Sequence, residues 1–228
     1  MRKPVVNYGE LRLSRLNEAR FAHVKLLVGW MMYFVLYCLT ESLIPVERCH
    51  VVHCALDDMI PFHEAFVIIY CYWFFLVAGS LLWLFLYDIQ GFKRLQIYIM
   101  ITQAVAMAVY MIWPSVQQLR PASFPRDNVL TRLMAFIYDV DTPTGVCPSL
   151  HVAYSMGIAS VFCHKEDASR RWKALMILSA VLISVSTAFV KQHSVVDIVL
   201  AIPLGLLAEY LVFGNTPLRR WIEEGGKG

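Results

Sequence analysis

The residues of this sequence that can do chemistry gather in a few short stretches. In "KQHSVVD", His193 and Asp197 are four residues apart, so on a helix their side chains share a face and can meet. The carboxylate then accepts a hydrogen bond from one imidazole nitrogen and leaves the other as an oriented base or nucleophile. Lys191, two residues upstream, offers an ammonium to an anionic ligand. A structural role fits the same residues, because the pair can also cap a helix start while the lysine snorkels to a membrane surface.

A second stretch, "CPSLHV", places a serine and a histidine at the start of an apolar run. Pro148 suits the first turn of a helix, where its missing N–H removes no hydrogen bond. Ser149 and His151 then lie near a helix N-terminus, whose free N–H groups attract anions. A histidine at this position can protonate a leaving oxygen as a general acid. The alternative is an interfacial histidine with its polar tip in water.

An arginine completes the set of candidate residues. Arg120 follows another apolar run and precedes Pro121, and its planar fork of donors matches a phosphate. Taken alone, an arginine at a membrane edge is usually an anchor. Phosphoryl transfer requires a nucleophile, an acid for the leaving group and cations that hold the equatorial oxygens of the phosphoryl group. Two histidines and the arginine together can supply these parts.

Long apolar runs surround these residues and predict the elements that position them. Of the 228 residues, 58% are hydrophobic and 16% are charged, with a net charge of +3. The chain is more apolar than a soluble domain, and its charge is too small to indicate nucleic-acid binding. A membrane-spanning helix needs roughly 20 mostly apolar residues. The sequence therefore predicts an all-α bundle of six transmembrane helices in a lipid bilayer, near 22–44, 65–87, 95–113, 149–164, 172–190 and 196–214.

The distribution of positive charge predicts how these helices are oriented. Fifteen of the 20 lysines and arginines fall in the two termini and in the second and fourth loops. Because such residues are enriched on the cytoplasmic side, both termini are predicted to be cytoplasmic. The chain is thereby divided into a cytoplasmic segment 1–21, a transmembrane domain 22–214 in the cell membrane and a cytoplasmic tail 215–228. All the candidate residues then lie at the extracytoplasmic face.

In order and spacing, these motifs resemble those of the type 2 phosphatidic acid phosphatase superfamily, whose members are six-helix membrane enzymes acting on lipid phosphates. The family's motifs run Lys-x6-Arg-Pro, Pro-Ser-Gly-His and Ser-Arg-x5-His-x3-Asp. The corresponding positions here are Arg120-Pro121, the stretch 148–151, and Ser186-Thr187 followed by His193 and Asp197. The resemblance covers about residues 60–214.

The resemblance implies a role for each matched residue. His193 is the nucleophile that forms a phosphohistidine, Asp197 orients it, and His151 protonates the leaving alcohol and then activates water or an acceptor hydroxyl. Arg120 and Ser149 correspond to phosphate-binding positions. Lys191 as a further phosphate ligand is inferred from its position alone. The substrate implied is a membrane lipid phosphate, and neither a metal nor a cofactor is implied.

Three residues depart from the family pattern: Trp113 replaces the lysine, Leu150 the glycine and Thr187 the arginine. The motifs are most similar to the branch that contains inositol phosphorylceramide synthases, which move a phosphoryl head group between lipids. Phosphatase and transferase share the phosphohistidine and differ in what attacks it. Hydrolysis of a lipid phosphate ester or diphosphate is the first expectation because it is the simpler reaction, and transfer is the second. A transporter or scaffold is disfavoured, because the polar groups cluster at one surface rather than at the midplane.

Other polar residues give weaker signals. The loop before the second predicted span has several histidines and aspartates but no familiar zinc spacing, so we expect it to pack beside the site rather than hold a metal. Cys49 and Cys54 face an oxidising side in the predicted orientation, where a disulfide can form. Glu209 lies inside the sixth predicted span, where a polar contact between helices is the simplest role.

Overall fold

A computed structural model describes residues 3–224, which are mostly helical. The predicted cytoplasmic ends include residues 1–2 and 225–228, which lie outside the described part. The elements in chain order are α1 (Val28–Leu43), β1 (His50–Val51), α2 (Ala55–Met59), α3 (Phe66–Tyr87), α4 (Ile89–Ile112), β2 (Ser115–Val116), α5 (Val129–Val140), α6 (Leu150–His164), α7 (Arg170–Phe189), α8 (Val195–Phe213) and α9 (Pro217–Glu224).

Five helices in the described part are long and apolar enough to cross a membrane, which makes this a membrane-embedded helical protein. They are Ala22–Leu43, in which a 3-10 helix over Ala22–Leu27 leads directly into α1, and Phe66–Tyr87, Ile89–Ile112, Arg170–Phe189 and Val195–Phe213. They match five of the six predicted spans. The predicted span 149–164 is the exception, because α6 has only 15 residues. That length is about 22 Å, against a hydrocarbon core of about 30 Å. A sixth full-length span is therefore not confirmed.

The short helix α6 lies at the centre of the bundle. It packs against α3, α4, α7 and α8, and ten of its 15 residues are buried. Gly157 allows Tyr98 of α4 to approach, since a Cβ there would lie 2.5 Å from the tyrosine Cδ1. The Tyr98 hydroxyl donates to Gly205 O of α8 at 2.8 Å. Glu209 of α8 accepts a hydrogen bond from Ser160 of α6, so the predicted polar contact between helices is present. Small residues and a few polar bonds thus hold α6 in place.

The junction of α3 and α4 differs from the sequence prediction. The second predicted loop, between the predicted spans 65–87 and 95–113, would contain Lys93 and Arg94. In the structure α4 already begins at Ile89, so both residues lie inside the helix and only Asp88 separates it from α3. The Asp88 carboxylate caps α4 by accepting from Gly91 N at 2.9 Å, and it pairs with Lys165 at 2.7 Å. A side-chain cap of this kind satisfies donors that a helix start leaves open. The third predicted span, near 95–113, is consequently longer than predicted at its N-terminal end.

One end of the bundle collects the longer connections. There β1 pairs with β2 in parallel, with His50 opposite Ser115 and Val51 opposite Val116. The Tyr110 hydroxyl near the end of α4 donates to Pro148 O at 2.8 Å, just before α6. The amphipathic α5 lies at the same end, and Asn128 caps it by accepting from two backbone N–H groups. This end therefore holds the starts of α6 and α8, where the candidate residues lie.

Candidate active site

The structure brings His193 and Asp197 into contact at the start of α8. Asp197 is fully buried, and its Oδ2 lies 3.2 Å from His193 Nδ1. The same oxygen accepts from Ser194 N at 2.9 Å, which completes a capping box at the helix N-terminus. Both roles considered for the pair are thus present together. One carboxylate caps the helix and orients the imidazole.

His151 reaches the same point from the first turn of α6. Its Nδ1 lies 3.3 Å from His193 Nε2, and its ring packs on Trp73 with centroids 4.1 Å apart. Ser149 caps α6, and its backbone N–H donates to Asp197 O at 3.1 Å. This bond joins the starts of the two helices. The meeting of the histidines therefore follows from how α6 and α8 are held against each other.

One arrangement of protons satisfies this row of three side chains. An ionised carboxylate only accepts, so His193 donates from Nδ1 to Asp197 and keeps a lone pair on Nε2. His151 then donates its Nδ1–H to that lone pair. Its own Nε2 is buried and has no hydrogen-bond partner within residues 3–224. In this arrangement His193 Nε2 is the nucleophilic nitrogen, and His151 Nε2 is free to take a second proton.

Arg120 lies near the site, but its guanidinium is occupied by the protein. It donates to Tyr138 O, Asp141 O and Gln192 Oε1, each at 2.9 Å. Two of these acceptors belong to carbonyl groups at the C-terminal end of α5, which the helix itself leaves open. Burial lowers the pKa of Arg120. In this arrangement the side chain braces α5 against residue 192.

Lys191 and Ser149 also serve the protein's own backbone. Lys191 is 8% exposed, and its Nζ donates to Asp57 O at 2.8 Å and to Ile60 O. Burial lowers the pKa of Lys191. The Ser149 hydroxyl is fully buried and accepts from Val152 N at 3.5 Å. The structure thus does not direct the three predicted phosphate ligands, Arg120 included, into open space.

A cavity of about 570 Å³ opens beside the two histidines. Its polar end includes Gln192 and Asp141, and its walls are mostly aromatic side chains of α1, α3 and α5. Of the wall residues, Phe34 is 66% exposed and Phe136 is 62% exposed, on faces that a membrane can cover. Of the residues that the structure describes, none of the three predicted phosphate ligands lines this space. The cavity connects the histidines to the lipid-facing surface of the bundle.

Asp141 gives the cavity a negative charge. Its Oδ2 accepts from Gln192 Nε2 at 3.1 Å. Burial raises the pKa of Asp141, while His193 and Arg120 act in the opposite direction. Within the described part of the chain, no lysine or arginine lines the cavity. The charged side chain that lines the polar end is therefore a carboxylate, while the Arg120 guanidinium lies behind it at the Asp141 backbone oxygen.

The loop predicted to pack beside the site does so through Asp57. This residue is 2% exposed, and its carboxylate accepts from Ser194 Oγ at 2.6 Å and from Val195 N and Cys54 N, each at 2.8 Å. Burial alone would raise the pKa of Asp57, but these hydrogen bonds hold it below its ordinary value. The loop is thereby bonded to the cap of α8, directly beside His193.

Two further expectations concern this loop. Cys49 and Cys54 are free cysteines, so the disulfide considered above does not join them. Across residues 3–224, no group of three or more His, Cys, Asp or Glu side chains is placed to hold a metal ion. His53 and Asp58 form only an exposed pair at 2.8 Å. Whether the chemistry needs a metal stays a prediction.

Sequence reasoning placed the loop that contains Asp57 beside the site without giving Asp57 a specific contact, and it did not identify Asp141 or Gln192. Gln192 had a signal, because it adjoins His193. Asp57 and Asp141 had no signal for their contacts, because they lie 136 and 52 residues before that histidine, in α2 and just after α5, and belong to no spaced motif. Long-range hydrogen bonds bring them to the site, and such bonds leave no periodic pattern in a sequence.

Comparisons with known proteins identify no relative of this chain. No family model, no curated protein and no solved structure matches it. Functional conclusions therefore rest on the residues and geometry described above.

Proposed function

We propose that this protein is a membrane enzyme that transfers the phosphoryl group of a lipid phosphate ester through a phosphohistidine on His193. The observation that carries the proposal is the row of Asp197, His193 and His151, with separations of 3.2 Å and 3.3 Å, at the polar end of a cavity with apolar walls. The walls include the exposed Phe34 and Phe136, so acyl chains can pack against them from the lipid-facing surface.

In the first half of the reaction, His193 Nε2 attacks phosphorus and the bond from phosphorus to the leaving alcohol oxygen breaks. Asp197 stabilises the positive charge that develops on the ring by accepting from Nδ1. His151 takes part as the imidazolium and gives a proton to the leaving oxygen. An anionic phosphate beside the ring favours that protonated form. Phosphorus must come between the two rings, so their contact at 3.3 Å opens when substrate binds.

In the second half, an oxygen nucleophile attacks phosphorus, the bond from phosphorus to His193 Nε2 breaks, and the nucleophile gives its proton to His151. Water as the nucleophile makes the protein a lipid phosphatase, the first candidate. A lipid hydroxyl makes it a phosphotransferase. One observation favours this second candidate, because the aromatic walls of the cavity lead toward the bilayer, from which an acceptor lipid can arrive. Both reactions use the same residues in the same roles.

The test uses the purified full-length protein in detergent with a chelator present. A panel of ³²P-labelled lipid phosphates is given to wild type, to His193→Ala and to the matched control His53→Ala, whose ring is exposed and pairs with Asp58. Phosphorylated protein is trapped by rapid quenching at alkaline pH, where phosphohistidine survives. Free phosphate and lipid products are then separated, with and without added diacylglycerol or ceramide.

We expect a phosphohistidine in wild type and His53→Ala but not in His193→Ala. Free phosphate or a water-soluble phosphate ester would establish hydrolysis, and a new phospholipid would establish transfer. Product formation that persists in His193→Ala would refute the assigned nucleophile. Activity lost on chelation and restored by a divalent ion would show that a metal takes part.

A further inference from the structure

The charge of the cavity is the feature that the proposed reaction leaves unexplained. Asp141 lines it, whereas Arg120 is turned toward the Asp141 backbone oxygen and not into the open space. Glu41 adds a second carboxylate near the mouth, where it accepts from Thr144 Oγ1 at 2.7 Å, and Thr144 lines the cavity. A ligand carrying only negative charge would meet repulsion from both carboxylates.

Aromatic side chains line the same cavity as Asp141. They come from α1 and α3 and comprise Tyr33, Phe34, Tyr37, Tyr70, Trp73 and Phe74. The ring centroids of Tyr70 and Trp73 lie 4.8 Å and 4.1 Å from that of His151, so the aromatic lining continues to the reacting histidines. Ring faces attract cations, and aromatic cages bind quaternary ammonium groups. A carboxylate among such rings strengthens the attraction.

These features discriminate between two kinds of phosphate ester. A phosphate monoester carries a charge of about −1.5 to −2 at pH 7 and therefore needs cations in its binding site. A phosphodiester carries one negative charge. When its head group ends in an ammonium, the ligand has no net charge, and its positive end can lie against a carboxylate. A zwitterionic diester matches a cavity that has Asp141 and no lining cation within the described residues.

We propose that the substrate is a zwitterionic lipid phosphodiester, with the ammonium of its head group held by Asp141 and the surrounding aromatic rings. The inference rests on the phosphoryl transfer proposed above and names its substrate class. Gln192 donates to Asp141 and is the neighbour of His193 in the chain, so it links the cation subsite to the nucleophile. Asp141 is a specificity-determining residue in this assignment.

The reaction of such a substrate requires no further reactant besides water or an acceptor alcohol. His193 Nε2 bonds to phosphorus, and the bond from phosphorus to the diacylglycerol oxygen breaks. His151 supplies the proton that makes diacylglycerol, leaving the phosphorylated head group on His193. Water or a lipid hydroxyl then attacks phosphorus while the bond from phosphorus to His193 Nε2 breaks. The attacking group gives its proton to His151 and carries the phosphorylated head group away.

The experiment compares four lipids in detergent micelles at equal mole fraction: phosphatidylcholine, phosphatidylethanolamine, phosphatidylglycerol and phosphatidic acid. Wild type is compared with Asp141→Asn, which keeps an acceptor for Gln192 but removes the charge. The matched control is Asp139→Asn, an exposed aspartate two residues earlier. Diacylglycerol and released phosphate compounds are quantified. A second arm measures equilibrium binding of phosphocholine and of inorganic phosphate to His193→Ala, with and without Asp141→Asn, and is independent of turnover.

We expect wild type to prefer the two zwitterionic lipids. In Asp141→Asn, the ratio of kcat/KM for phosphatidylcholine to that for phosphatidylglycerol should fall at least about tenfold, since one charge–charge contact of this kind is worth that much or more. Asp139→Asn should keep the wild-type ratio. Phosphocholine should bind more tightly than inorganic phosphate, and the advantage should disappear with Asp141→Asn.

The outcomes separate the substrate class from the reaction. His193-dependent turnover of phosphatidic acid in preference to phosphatidylcholine would overturn the substrate class and leave the phosphoryl transfer standing. If Asp141→Asn left the phosphatidylcholine-to-phosphatidylglycerol ratio of kcat/KM unchanged, the substrate class would be overturned as well. Absence of any His193-dependent turnover would refute the reaction. In that case, Asp141-dependent binding of phosphocholine would still support the cation subsite. If phosphocholine binding did not depend on Asp141, the cation subsite would be refuted as well.

Discussion

Replacement of Asp57 by asparagine tests whether the loop carboxylate holds the start of α8. The side chain is 2% exposed and accepts three hydrogen bonds, from Ser194 Oγ, Val195 N and Cys54 N. An asparagine has one carbonyl oxygen and presents an NH2 group in place of the other oxygen. In either orientation of the amide, its NH2 group faces at least one of these donors, so at least one hydrogen bond is lost.

The size of the effect follows from the two orientations of the amide. With its oxygen in the place of Oδ2, asparagine keeps the bonds from Ser194 and Cys54 and loses the one from Val195. With the oxygen in the place of Oδ1, it keeps one and loses two. Hydrogen bonds to a charged group are worth about 1.5–3 kcal/mol each. We therefore expect the free energy of unfolding to fall by about 1.5–3 kcal/mol, or by up to twice that amount if two bonds are lost.

Asp58→Asn is the matched control, because it is the neighbouring residue and its side chain is 70% exposed. Its pair with His53 is a surface contact, so the change should be about 0.5 kcal/mol or less. The assay is denaturant unfolding of both variants in the same detergent, followed by circular dichroism and combined with the lipid turnover measurement. Because Asp57 touches Ser194 and not a reacting atom, kcat should fall through misplacement of His193 while binding of phosphocholine changes less.

The pH dependence gives a second readout for the same residue. The pKa of Asp57 in the folded protein lies below its ordinary value, so its stabilising effect is fully present above the unfolded pKa of about 3.9. The effect is lost as pH falls through the folded pKa. Wild type should therefore lose stability relative to Asp57→Asn only below about pH 4. Equal unfolding free energies for Asp57→Asn, Asp58→Asn and wild type at pH 7 would refute the reasoning.

Two further substitutions or modifications test the surroundings of the site. Arg120→Lys should lower the free energy of unfolding by about 2 kcal/mol, because one ammonium cannot reproduce a fork that serves three acceptors; Arg132→Lys, 74% exposed, should differ from wild type by about 0.5 kcal/mol or less in the same titration. Burial, together with the nearby Asp197 carboxylate, raises the pKa of Cys147 to about 12. Iodoacetamide at pH 8 should therefore leave Cys147 unmodified by mass spectrometry until the protein is denatured, and modification of the folded protein would contradict its burial.

Local patterns in the sequence were sufficient to predict most of the helices. A helix in lipid satisfies its own backbone, so a long apolar run is enough to predict it. The predicted bounds of α6 agree with the structure to within one residue, but with 15 residues the helix is not confirmed as a membrane span. A helix buried among other helices is as apolar as one that faces lipid, and composition cannot tell the two apart. The prediction was wrong about the start of α4, because Lys93 and Arg94 read as loop residues but lie inside the helix.

The pairing of His193 and Asp197 could also be predicted, because a spacing of four residues places two side chains on one helical face. Their meeting with His151 required the three-dimensional structure, in which Ser149 N–H and Asp197 O join the two helix starts at 3.1 Å. The motif resemblance placed these residues in one site before the structure did so. Their chemical roles stay a proposal.

The positions of the charged side chains were decided only by the tertiary structure. The sequence offered Arg120 and Lys191 as ligands for phosphate, but the fold turns both toward backbone oxygens. It brings Asp141 to the cavity instead, next to residues that are distant in sequence. A charged side chain has several acceptors within reach, and which of them it meets depends on contacts between distant segments. The sequence by itself thus determined the helices and the types of reactive residue, while the tertiary structure decided the charge that a substrate would meet.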